Sequence, residues 1–193
     1  MELTISILAV IISAATFLFT VMVTYHGEQR ERKQATLDAL NILQEQVFDH
    51  LNGYTFNEIR EIAEEYSKAI DEKNHFAREK QGTADEFWRE HPEYDRVMDE
   101  YSKISGYLAR IEHFALGVNT GIYDTKITER AATTYFVMLY KKLMPILSVK
   151  NGGKATDKTT KNAFHTEFES LVKSIQKIEN NCRETICSSH YVF

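Results

Sequence analysis

Residues Leu3 to Tyr25, LTISILAVIISAATFLFTVMVTY, run without a charge, a glycine or a proline. At ~1.5 Å of rise per helical residue, such a run crosses the ~30 Å hydrocarbon core of a bilayer. Nothing comparable follows it, so the sequence predicts one membrane span. The chain starts Met1-Glu2, without a basic n-region, and stays apolar through Phe17, Leu18 and Phe19. That pattern predicts an uncleaved anchor in place of a signal peptide. Beyond the run, HGEQRERK carries Arg30, Arg32 and Lys33, against Glu2 alone on the other side. The positive-inside bias then orients the N-terminus out and places residues 26–193 in the cytoplasm.

Small and hydroxylic residues recur along the run at steps of three and four: Ser6, Ala9, Ser13, Thr16, Thr20 and Thr24. On a helix they form one seam. Lipid gives apolar helices no hydrophobic reason to associate, so close approach at small residues and hydroxyl bonding drive packing in membranes. The seam predicts a homo-oligomer, in which the same hydroxyls would line a narrow pathway. Against this stands the tendency of Ser and Thr to bond back to their own helix.

About 168 residues follow the run, enough for one domain with a core of its own. Two prolines, eight glycines and an abundance of Glu, Lys, Ala, Leu and Ile, with apolar spacing of three and four throughout, predict an all-α fold: one N-terminal transmembrane helix followed by a cytosolic helical bundle. The divisions expected are an anchor over 1–26, a stalk helix over 27–51 with Leu37, Leu40, Val47 and Leu51 on one side, a helical domain over 52–181, and a flexible tail over 182–193. Within the domain, Asn52-Gly53 ends the stalk and a helix from about Phe56 to Lys80 buries Phe56, Ile59, Ala63, Tyr66 and Ile70. Thr83-x-x-Glu86 reads as a capping box. A helix from about Glu93 carries Tyr94, Val97, Met98, Tyr101, Ile104, Leu108, Ile111 and Ala115 inward. Asp124 or Thr125 caps a helix running to the Pro145 region, and a last helix buries Phe164, Phe168, Leu171, Ile175 and Ile178.

Charge is uneven. From Glu58 to Glu100 there are fourteen acidic residues against seven basic, and from Lys141 to Lys161 six lysines against Asp157 alone. The acidic half reads as a solvated face laced with i,i+4 pairs. Lys141, Lys142, Lys150, Lys154, Lys158 and Lys161 flank the Asn151-Gly152-Gly153 loop and make a candidate anion site, open to a phospholipid headgroup or a nucleotide. The loop lacks the GxxxxGK[ST] spacing. A net charge of −5 argues against a DNA-tracking surface.

Motifs for chemistry are sparse. Glu72-x-x-His75 has the spacing of one half of a di-iron site, but no second pair accompanies it. Cys182, Cys187 and His190 match no zinc pattern and lack a fourth ligand. Neither a metal nor a cofactor is expected, and GxSxG, HExxH and dinucleotide-binding patterns are absent. Arg183-x6-His190 resembles the Arg and His of HEPN-type ribonucleases, a likeness that implies phosphate holding by Arg183 and acid-base chemistry by His190. Glu184 stands where that family carries a smaller polar residue.

From Ile104 to Leu147 the chain is similar to the signature region of a bacterial family of unknown function, single-pass and membrane-anchored. The matching residues are Leu108, Glu112, Ala115, Gly117, Val118, Gly121, Ile122 and Asp124. Physically, Gly117 and Gly121 suit a tight reversal, Asp124 suits a cap, and Glu112 suits bonding of the loop amides between them. The resemblance implies a bacterial inner-membrane protein of the kind found among antiphage genes. It also resembles in plan the cyclic-oligonucleotide-responsive membrane accessories of type III CRISPR systems. The function expected is a non-enzymatic membrane effector whose partners are the bilayer, its own copies and an anionic nucleotide. A scaffold holding a partner protein, or a tethered ribonuclease, are the alternatives.

Overall fold

The structure, a computed structural model, describes residues 2–80, 82–150 and 166–189, with side-chain surroundings for residues 12–80, 82–150 and 166–177. The described residues are helical and contain no strand. The order is α1 (Glu2–Leu43), a π turn (Gln44–Phe48), α2 (Asp49–Asn52), α3 (Phe56–Lys80), α4 (Ala84–Glu90), a 3-10 turn (Pro92–Tyr94), α5 (Asp95–Asn119), α6 (Thr125–Lys150) and α7 (Thr166–Ser189). The all-α fold class expected from the spacing is the one found.

α1 is one helix of 42 residues, about 63 Å long, and its two halves meet different surroundings. From Ile12 to Tyr25 every large apolar side chain is 50–68% exposed. From Thr36 onward the same helix enters the core: Thr36, Leu40 and Leu43 are buried, followed by Val47, Phe48 and Leu51. Residues 27–51 are therefore not a stalk standing clear of the domain. Their second half is the domain's first core helix, and only Leu37 of the four residues expected on its inner side is exposed. Among the described residues no helix is long and apolar enough to cross a membrane, so the span expected over 3–25 rests on the sequence.

At the π turn the Asp49 amide donates to the Gln44 carbonyl, and the neighbours Val47 and Phe48 are both buried. Such turns hold one residue more than an α-helical turn and leave carbonyls to be satisfied elsewhere. Here α6 supplies the partners. The Tyr135 hydroxyl donates to the Phe48 carbonyl at 3.2 Å, and the Lys142 ammonium donates to the Leu51 carbonyl at 2.7 Å.

α3 opens on a reciprocal cap: the Thr55 amide donates to Glu58 at 2.6 Å, and the Glu58 amide donates to the Thr55 hydroxyl at 3.2 Å. Ile59, Ala63 and Ala69 are buried. Phe56, expected in the core, is 48% exposed, because the first residue of α3 sits at the rim where α3 meets α6, beside Asn52 and Met138. The capping box at Thr83 and Glu86 is present and starts α4. α5 buries Val97, Tyr101, Ile104, Leu108, Ile111 and Ala115, as its spacing predicts, whereas Tyr94, in the turn before it, and Met98, in its first turn, are only half-buried.

Two helix ends differ from expectation. α6 runs through Pro145 to Lys150, since Leu143, Pro145, Ile146, Leu147 and Ser148 are all buried there. Packing on that face outweighs the one backbone bond a proline forgoes. α7 continues to Ser189, through most of the stretch expected as a flexible tail. Phe168, Leu171, Val172 and Ile175 bury it against α5 and α6. Phe164 lies outside the described residues, and the side chain of Ile178 is likewise outside them.

Candidate functional site

The residues expected to hold an anion do not converge among the described positions. Lys142 turns inward, giving its ammonium to the Leu51 carbonyl at the C-terminal end of the first helical arm, where a cation meets the negative end of the helix dipole. Burial lowers its pKa, and Glu58 across the gap raises it. Lys141 is exposed and lines a shallow hollow of about 340 Å³ with Asn52, Phe56, Tyr135 and Met138. Lys150, two turns further along α6, is half-buried, and burial lowers its pKa too. Lys154, Lys158 and Lys161 lie outside the described residues.

The signature residues, by contrast, come together in one joint at the end of α5. Gly121 has φ +77°, a left-handed conformation that glycine adopts without cost and that turns the chain toward α6. Gly117 is buried within α5, and a Cβ there would stand 2.5 Å from the Tyr123 ring. That ring stacks on Phe114, with centroids 5.1 Å apart, and the Tyr123 amide donates to the Gly117 carbonyl at 3.0 Å. Asp124 caps α6 by accepting from the Ile127 amide at 3.0 Å. The Asp124 amide itself donates to the hydroxyl of buried Thr36 at 2.7 Å, and that hydroxyl donates to the Arg32 carbonyl at 2.7 Å.

Glu112 has a structural part, with different partners from those expected. Its two carboxylate oxygens accept from the Glu167 and Phe168 amides, each at 2.9 Å. These are orphan donors in the first turn of α7, not the loop amides after Gly117. Asn119 adds to the same end, donating to the Glu167 carbonyl at 3.0 Å and to its carboxylate at 2.7 Å. Sequence spacing could not show this, because Glu112 and Glu167 lie 55 residues apart.

The acidic half builds a cleft of about 430 Å³ between α3 and α5, lined by Glu58, Glu61, Glu65, Glu93 and Glu100 with Arg96 among them. Hydrogen bonds from the Thr55 amide and hydroxyl hold Glu58 below the usual carboxylate pKa, and bonds from Tyr54 and Lys103 do the same for Glu100. The Tyr54 hydroxyl donates to Glu100 at 2.5 Å. Burial and that carboxylate push the Tyr54 pKa up to about 12. Outside the cleft the expected i,i+4 pairs occur, among them Arg60–Glu64 and Lys68–Glu72.

Along the N-terminal seam, Ser13, Thr16, Thr20 and Thr24 are exposed, and the side chains of Ser6 and Ala9 lie outside the described set. Thr16 donates to the Ile12 carbonyl at 2.8 Å and Thr20 to the Thr16 carbonyl at 2.9 Å, so both hydroxyls bond back along their own helix. In Glu72-x-x-His75, Glu72 accepts from the Tyr94 hydroxyl and His75 faces Glu79. No cluster of metal-ligating residues occurs among the described residues. Arg183, Cys182 and Cys187 fall on the backbone of α7 with side chains outside the described set, and His190 lies outside the described residues.

Fold and joint together define an all-α domain built on one long N-terminal helix. The chain belongs to the DUF4760 family, a domain of unknown function, whose model matches residues 3–175. No curated protein and no solved structure matches it.

Proposed function

We propose that this protein is a non-enzymatic, homo-oligomeric membrane effector in bacterial antiphage defence, anchored by residues 3–25, whose helical domain senses a signal and perturbs the membrane. The observation that carries the reading is the dual character of α1. Its described apolar residues from Ile12 to Tyr25 have no protein against them, whereas Thr36 to Leu43 are part of the core. Exposed apolar surface of that extent needs a cover, and a bilayer is the cover that a long uncharged helix fits. The family match begins at residue 3, so the apolar run is part of the unit the family shares. Because no break separates the two halves, a change in the domain moves the apolar segment with it.

The signal is an anionic nucleotide, for which the lysines between 141 and 161 are the candidate ligands, and the copies meet along the seam of Ser13, Thr16, Thr20 and Thr24. Since Thr16 and Thr20 already satisfy their hydroxyls, the seam contributes close approach more than cross-helix bonding. A scaffold reading is favoured by one feature, the acidic cleft between α3 and α5, which suits a basic segment of a partner protein.

Membrane potential in cells expressing the full chain with its genomic neighbours, beside a form lacking residues 1–25, tests the effector reading. Depolarisation that needs both the apolar segment and a neighbour is the expected result. An unchanged potential, or toxicity that survives removal of the segment, contradicts it. Recovery of the chain with one basic partner, lost on reversing Glu61 and Glu65 to Lys, would favour the scaffold.

A further inference from the structure

We infer that the end of α5 and the turn after it form a relay between α1 and the start of α7. Polar contacts reach α5 from both sides. Thr36 is one of three buried polar residues among those described, and its hydroxyl holds the Asp124 amide at 2.7 Å. Asp124 is joined through Tyr123 to α5, by the hydrogen bond that the Tyr123 amide donates to the Gly117 carbonyl and by the ring laid over Gly117 and Phe114. On the other side of the same two turns of α5, Glu112 and Asn119 hold the first turn of α7. Lengthwise displacement or rotation of α1 breaks the Thr36 contact, frees the turn, and alters the capping of α7. By linkage, an event that strips the cap from α7 loosens α1 to the same degree.

The relay rests on α1 being the element coupled to the membrane, but its test reads only the domain. Amide exchange is followed in the full chain in bilayer nanodiscs. In Thr36→Val, which keeps the shape and removes the hydroxyl, the Glu167 and Phe168 amides should exchange about tenfold faster while Ala63 and Ala69 in α3 stay unchanged. Thr36→Ser, which keeps the hydroxyl, should restore the original rates at both ends. Acceleration confined to Asp124 and its neighbours would overturn the relay, and so would uniform acceleration that includes α3, since that reports a general loss of stability. Should the Val variant fail to accumulate, Glu112→Gln is read in the reverse direction. Faster exchange of the Asp124 amide supports the relay, and an unchanged rate there overturns it. Neither result depends on whether the membrane is perturbed.

Discussion

The two halves of α1 differ in everything except their backbone. From Ile12 to Tyr25 the helix shows large apolar side chains on every side but its hydroxylic seam, with no protein against them. Above Thr36 it shows a narrow apolar stripe, Leu40 and Leu43, which is buried and is carried on by Val47 and Leu51 in the π turn and α2. A helix apolar on every side is made for an apolar solvent, and one apolar on a single stripe for a protein core. Their junction contains no proline, and Gly27 sits within unbroken helix. The helix is continuous from its exposed half to its buried half, which turns local packing in the domain into a constraint on the segment outside it.

The largest effect should appear in the buried half. Leu43, the last residue of α1, is buried in the core, and Leu43→Ala should cost ~2–5 kcal/mol in chemical denaturation. A loss below ~1 kcal/mol would show that this half is no part of the cooperative core. Next comes the joint: Gly117→Ala places a methyl carbon against the Tyr123 ring and should cost ~1–3 kcal/mol despite alanine's better helix propensity. Glu112→Gln removes a charged cap shared by two amides and should cost about 1 kcal/mol, together with earlier proteolysis at the start of α7.

Alkaline stability sharpens the contrast further, because Tyr54 and Tyr94 both belong to the domain. The pKa values of Tyr54 and Tyr94 are pushed from 10.0 up to about 12, the first chiefly by burial and the second chiefly by its bond to Glu72. A raised folded pKa means the folded state holds the proton more tightly. The contribution is therefore complete below pH 10 and is lost as pH rises through about 12. Tyr54→Phe and Tyr94→Phe should flatten the loss between pH 10 and 12, read by circular dichroism. The smallest effect belongs to the exposed half, where Phe17→Ala should shift domain stability by less than ~0.5 kcal/mol.

Periodicity and caps made most of the helices legible. α3 spans the bounds its apolar spacing predicts, Thr83 and Glu86 cap α4 as their motif implies, and α5 buries the stripe read from Tyr94 to Ala115 except Tyr94 and Met98 at its start. The Thr55-x-x-Glu58 pair has the same capping-box signature and could have been read the same way. Local rules failed where tertiary packing decided. Pro145 ought to end a helix, but the residues after it are needed in the core. The tail looked irregular, yet α7 continues as far as Ser189.

The site was less legible than the fold. A run of lysines in sequence is a surface only if the chain brings their heads together, and Lys142 instead serves the end of α2. Glu112 looked like a partner for nearby loop amides, while its true partners lie 55 and 56 residues away. Thr36 carried no signal at all, being one hydroxyl in a polar stretch, although it joins α1 to the turn before α6. Contacts of this kind depend on which helices become neighbours, and spacing along one helix does not encode that.

The central claim, that one unbroken helix runs from bilayer to core, is tested most directly by cysteine accessibility along α1 in membranes containing the full chain. Single cysteines at positions 17, 19, 37 and 42, in a background with Cys182 and Cys187 replaced by serine, are challenged with a membrane-impermeant thiol reagent. The account predicts protection at 17 and 19 and ready labelling at 37 and 42 from the side that holds the domain. Equal labelling at all four positions would contradict it.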